Sequence, residues 1–237
     1  MISEQHIAHA FDRDLESIQA LIMKMGGLAE KAILDSAQAL ETRDEELANQ
    51  VRAGDKVLDE LEDRVHADCA QLIARRSPTA GDLRTVLTVM KVAAALERVG
   101  DYAKNIAKRS VVLAQGPAID GSGGAVRRMA KAVEELLKDA LDAYIQRDVE
   151  LANDVRRRDK DVDQMYNALF REFLTYMMED PRNISGCMHL HFIAKNIERM
   201  GDHATTIAEQ VIYLVSGSYP EDDRPKSDSV TAVNPDE

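Results

Sequence analysis

Eight acidic residues stand out in this chain by their spacing. Asp55 and Asp59, Glu97 and Asp101, Asp159 and Asp163, and Glu198 and Asp202 are each four residues apart, so on a helix each pair shares one face. Spacing alone is weak evidence, because 42 acidic residues in 237 positions should produce about seven such pairs by chance. Placement is stronger: every pair borders an apolar stripe, and the four pairs fall at matching positions of an internal repeat. Like charges this close cost roughly 0.2–0.5 kcal/mol per pair even when exposed, and more if neighbouring helices bring two pairs together. A positive charge must compensate. Ordinary salt bridges from Lys56, Arg98, Lys160 or Arg199 would serve, and so would a bound divalent or trivalent cation held by four carboxylates. The residues leave both readings open. Hard oxygen ligands suit Mg, Mn, Ca or Fe better than a soft metal.

Other chemistry has little support. His189 and His191 are two residues apart and point to different faces of a helix, and His203 corresponds to Tyr102 in the other copy. No Glu-x-x-His of the kind that builds di-iron bundles is present, which disfavours a carboxylate-bridged redox metalloenzyme. P-loop, dinucleotide-binding and nucleophile-elbow motifs are likewise missing, so no catalytic residue is assigned. A purely structural bundle with solvated acidic pairs is the third reading.

The elements that must position these carboxylates are helices. Charged residues make up 30% of the chain and aromatics 4%, with no Trp, a mixture that favours helix over sheet. Residues 43–59 (RDEELANQVRAGDKVLD) and 147–163 (RDVELANDVRRRDKDVD) are identical at eleven of seventeen positions. Glu97-Arg98-Val99-Gly100-Asp101 is answered by Glu198-Arg199-Met200-Gly201-Asp202. The first segments are 104 residues apart and the second 101, as expected of a duplication whose loops have changed length. Val92, Leu96, Val99, Ala103 and Ile106 form a stripe with helical period, matched by Ile193, Ile197, Met200, Ala204 and Ile207. Breakers at Arg43-Asp44, Ser77-Pro78, residues 115–124, Arg147-Asp148 and Asp180-Pro181 divide the chain into six helices, near 5–41, 44–76, 79–114, 121–146, 148–179 and 182–216. The expected fold is all-α, two tandem three-helix bundles, residues 1–116 and 117–216. A Pro-bearing acidic tail, 217–237, is expected to be disordered. Glycine inside a helix costs about 1 kcal/mol, so Gly100 and Gly201 imply close approach of neighbouring helices, or of a metal, beside the carboxylates.

The net charge of −12 argues against nucleic acid as a partner. Cys69 and Cys187 do not correspond in the two copies and read as small reduced core residues. The N-terminus shows no basic segment followed by an apolar run, and no apolar run approaches the ~20 residues that span a bilayer. A cytoplasmic protein without direct membrane insertion is expected.

Met25-Gly26-Gly27, Arg75-Arg76-Ser77-Pro78-Thr79-Ala80-Gly81-Asp82-Leu83-Arg84, Tyr176-Met177-Met178-Glu179-Asp180 and the doubled Glu-Arg-x-Gly-Asp follow one another along the chain. In type and order they resemble the motifs of the PhoU family, from about residue 5 to 215. The resemblance implies a negative regulator of phosphate uptake, an adaptor and not an enzyme. It would sit between the ATPase of the phosphate ABC transporter and the membrane sensor histidine kinase of phosphate starvation, gathered at the inner membrane through them. It also implies a homodimer, and metal (Mg, Mn or Fe) bound by Asp55, Asp59, Glu97, Asp101, Asp159, Asp163, Glu198 and Asp202. A further ligand one turn on is Asn105 in the first copy; Thr206 stands there in the second, so the second site is expected to bind less tightly.

Overall fold

The computed structural model describes residues 2–119 and 121–220. Six long helices carry it: α1 (Ile2–Thr42), α2 (Glu45–Arg76), α3 (Ala80–Ala114), α4 (Ser122–Gln146), α5 (Val149–Glu179) and α6 (Ile184–Ser216). No strand occurs among the described residues, and none of their helices is long and apolar enough to cross a membrane.

The repeated Arg-Asp dipeptide makes the corner between the first two helices of each half. Arg43 and Arg147 close the preceding helix in the left-handed region (φ 56° and 54°). Asp44 then accepts from the Leu47 N–H at 2.9 Å, and Asp148 from those of Glu150 (2.9 Å) and Leu151 (3.0 Å), taking up donors that a helix start leaves unmet. Arg43 has a second role, since its guanidinium donates to the carbonyls of Leu113 (3.0 Å), Ala114 (2.6 Å) and Gly116 and so caps the C-terminus of α3. The sixth helix starts two residues later than its breaker suggests. Asp180 accepts from the Arg182 N–H and Asn183 donates to the Asp180 carbonyl, which makes Pro181–Asn183 one 3₁₀ turn before α6 begins. Within the described part of the expected tail, the Tyr219 ring stacks on Tyr213 at 4.5 Å and Lys91 donates to its hydroxyl at 2.6 Å. Positions 221–237, where the rest of the disorder expectation falls, lie outside the described residues.

Within each half the three helices pack on one another, and the halves meet through α1 with α4 and α3 with α6. Both of those pairs run antiparallel. Glu41 meets Arg127 (2.9 Å) at one end of α1–α4, while Gly26 lies against Leu141 towards the other. Along α3–α6, Arg84 covers Tyr213, Tyr102 faces its repeat counterpart His203 (5.6 Å between ring centres), and Arg109 covers Phe192. A single apolar core runs through both halves, and every residue of the two long stripes in α3 and α6 is buried.

Cys69 and Cys187 are both free thiols buried in this core, as their apolar surroundings suggested. Burial pushes the Cys69 thiol up to about 11, with Asp68 adding to it. A thiol raised in the folded state stabilises fully below its unfolded value, about 8.5, and that contribution is lost as pH rises through 11. Native protein at pH 8 should therefore leave both thiols unreacted with a thiol-specific chromogenic disulfide, while denatured protein reacts at two sites. Rapid labelling of Cys69 without unfolding would contradict its placement.

Candidate metal centre

The first cluster forms where α2 and α3 pack. Asp55 is buried on α2, and on α3 Gly100 allows the two backbones to approach: a Cβ at position 100 would lie 2.5 Å from Leu58 Cδ1 and 3.7 Å from Asp55 Oδ1. Lys104 spans the helices. Its ammonium donates to Asp55 Oδ2 and, at 2.7 Å, to Asp101 Oδ1, so carboxylates from α2 and α3 converge on one positive atom. Arg98 adds contacts of 3.6 Å to Glu97 and 3.4 Å to Asp101. Asp55 Oδ1 is buried without a hydrogen-bond partner among the described residues.

The charges act on one another as such crowding requires. Burial pushes the Glu97 carboxyl up to about 7, and Asp101, Glu62 and Asp59 push in the same direction against Arg98. Asp59 is raised by burial and by Asp55, with Lys104 opposing. For Asp101, burial pulls upward, but the hydrogen bond and charge of Lys104 together with Arg98 win and hold it below the usual carboxylate range. Lys104 shows the reciprocal effect, its two carboxylates raising it despite desolvation. Asn105, one turn beyond Asp101, is half-buried.

The second cluster repeats the backbone arrangement between α5 and α6. Asp159 is buried, and a Cβ at Gly201 would come within 2.9 Å of its Oδ1. Glu198 accepts from Lys195 at 2.8 Å, while its Oε2 is buried with no hydrogen-bond partner among the described residues. Burial raises this carboxyl; Lys195 opposes, while Asp202 and Asp163 add to the rise, which places the α5 and α6 acids within each other's field. Thr205 stands where the first copy has Lys104, and both it and Thr206 donate back to the Asp202 carbonyl (2.8 and 2.9 Å).

Both halves thus bring carboxylates of two helices together, but among the described residues no group of three or more His, Cys, Asp or Glu side chains is arranged to hold a metal ion as it stands. The donors nevertheless suit a hard cation: all are carboxylate oxygens, and one buried oxygen of Asp55 and one of Glu198 lack a hydrogen bond. Of the compensating cations expected from sequence, Arg98 serves. Lys56 instead faces Glu60 at 3.6 Å, and Arg199 covers the Tyr102 ring. Lys104 was missed, although it lies three residues beyond Asp101 and so on the same helix face.

The PhoU domain model matches this chain twice, over residues 22–110 and 126–211, once in each half. The chain belongs to the PhoU family. Among its PhoU relatives, the "Phosphate-specific transport system accessory protein PhoU homolog" of Rhizobium meliloti (strain 1021) is 45% identical over 239 residues, 98% of each chain. The protein of the same name from Caulobacter vibrioides (strain NA1000 / CB15N) is 44% identical, over 94% of this chain and 97% of its own. In three dimensions the crystal structure of PhoU from Pseudomonas aeruginosa superimposes with a TM-score of 0.85 at 39% identity, covering 88% of this chain and 100% of that one. The phosphate transport system regulatory protein PhoU from Streptococcus pneumoniae gives 0.82 at 26% identity, over 89% and 99%.

Proposed function

We propose that this PhoU-family protein is a cytoplasmic, metal-binding adaptor that holds the phosphate-starvation response off, and restrains phosphate uptake, while phosphate is plentiful. Its partners would be the ATPase of the phosphate ABC transporter and the membrane sensor histidine kinase, and its working form a homodimer. The observation that carries this reading is the double family match over nearly the whole folded chain, together with relatives of 44–45% identity named as accessory proteins of the phosphate-specific transport system.

The metal would be held by Asp55, Asp59, Glu97 and Asp101, with Asn105 one turn on, in the first half, and by Asp159, Asp163, Glu198 and Asp202 in the second. Bound there, it would neutralise the crowded carboxylates. The chain's own residues do the positioning. Gly100 and Gly201 let α2–α3 and α5–α6 approach, and the buried Asp55 and Asp159 anchor each cluster on the facing helix.

Deleting the gene should leave phosphate-starvation genes expressed in phosphate-rich medium, measured with a reporter. Replacing Glu97, Asp101, Glu198 and Asp202 together with Ala should impair repression while the circular dichroism of the helices is kept. Normal repression in the deletion strain would refute the regulatory assignment. Normal repression by a folded quadruple variant would instead remove the clusters from the mechanism.

A further inference from the structure

One groove is filled in the second half of the molecule and open in the first. A cavity of about 220 Å³ lies between α1 and α2, walled by Leu28, Val51 and Leu58, with Asp35 of α1 and Gln50 and Gly54 of α2 along it. Arg43 and Arg147 turn the same corner in both halves, so these positions have counterparts 104 residues on. Asp35 answers to Asp139, Gln50 to Asp154 and Gly54 to Arg158.

In the second half the side chain of Arg158 occupies that place. It reaches from α5 to donate through Nη2 to Asp139 of α4, and its Nε lies 2.7 Å from Asp154 Oδ2. A guanidinium thus sits between the counterparts of Asp35 and Gln50, held by carboxylates of two helices. In the first half the residue that would supply it is glycine, and a Cβ built on Gly54 meets nothing within 4 Å. The acceptors remain. Asp35 keeps the carboxylate, paired with the exposed Lys31 of its own helix, and Gln50 keeps an amide oxygen able to accept. Asp55 also lines the cavity, and its Oδ1 is buried without a hydrogen-bond partner among the described residues.

We propose that this cavity receives an arginine side chain from a partner protein, in the place that Arg158 fills in the second half. Its size suits that occupant: pockets for drug-sized ligands run from about 300 to 1,000 Å³, whereas the end of one side chain fills less. Charge agrees, since the chain carries a net −12 and the cavity sets Asp35 and Asp55 against Lys31. The planar fork of a guanidinium can also bridge two acceptors in a fixed geometry, as a point-like ammonium cannot. This goes beyond the adaptor reading and holds whether or not the carboxylate clusters take metal.

The test is an NMR titration of the full-length protein, methyl-labelled at leucine and valine, with N-acetyl-arginine methylamide as a capped arginine residue. Wild type should bind it with a Kd of about 1 mM, shifting the methyls of Leu28, Val51 and Leu58. The citrulline counterpart, close in shape but neutral, should bind at least tenfold more weakly, the loss expected when charge-assisted hydrogen bonds are removed. Gly54→Arg, which supplies the group from the chain itself, should weaken binding of the capped arginine at least tenfold. Asp35→Asn should do the same, and serves if the Gly54 variant fails to fold. Equal affinity for arginine and citrulline, shifts that miss the three named residues, or unchanged binding in both variants would overturn the proposal. Free arginine or agmatine binding tenfold more tightly than the capped residue would also overturn it, by making a small guanidinium compound the occupant in place of a protein.

Discussion

Truncating Phe173 to alanine should destabilise the protein by about 3–5 kcal/mol, the usual cost of removing a ring from a packed core. For a chain of this size each kcal/mol lowers the melting temperature by about 2–4 °C, so a fall of about 6–20 °C is expected. Phe173 is 1% exposed and is among the largest fully buried side chains. It fixes α5, the helix that carries Asp159 and Asp163. The corresponding slot in the first half is filled by Cys69, also buried, so the two cores reach close packing with fillers of very different size. Cys69→Ala should accordingly cost far less. Thermal unfolding followed by circular dichroism measures both, and a Phe173→Ala melting point within 2–3 °C of wild type would mean that the ring does not hold α5 as described.

Gly201→Val should also be damaging, for the opposite reason. The first carbon alone would lie 2.9 Å from Asp159 Oδ1, 3.6 Å from Val162 Cγ1 and 3.8 Å from Val133 Cγ2, and valine adds two more atoms where α4, α5 and α6 meet. Overpacking of this kind costs about 1–3 kcal/mol and occasionally more, while replacing a helical glycine returns less than 1 kcal/mol. A net loss of about 1–2.5 kcal/mol is expected. Asp159 must also move, so the second cluster should lose its arrangement before the fold is lost. Gly100→Ala offers the comparison, because there the obstacle is the terminal methyl of Leu58, which can turn aside more easily than an anchored carboxylate. Equal stability of wild type and Gly201→Val in a denaturant titration would contradict the close approach.

Much of the fold was legible in the sequence because its punctuation has local causes. The Arg-Asp corners follow from one residue in the left-handed region and one carboxylate accepting N–H groups, and both act over a few residues. Helical periodicity identified the buried faces of α3 and α6 correctly. It could not say what would cover them, since an apolar stripe specifies a need for burial and not a partner; the α1–α4 and α3–α6 contacts had no sequence signal. The candidate site was half legible. Four-residue spacing and repetition located the carboxylates, but compensating charge was sought at adjacent positions, whereas Lys104 reaches its acids from one turn along α3 and across to α2. Spacing between carboxylates is the same whether a metal or an ammonium neutralises them, so only side-chain placement separates the two.

The antiparallel α1–α4 and α3–α6 contacts also bear on how the duplicated chain behaves in dilute solution. Each half covers apolar faces of the other, in the manner of two subunits, yet they are joined by a connection of only a few residues between Ala114 and Ser122. A short tether holds its ends at an effective concentration of about millimolar, independent of how much protein is present. Two separate three-helix chains would come apart on dilution; their fused descendant does not, and the linker needs only enough length to let the halves turn back on each other. Duplication has thus converted an association constant into a property of one molecule.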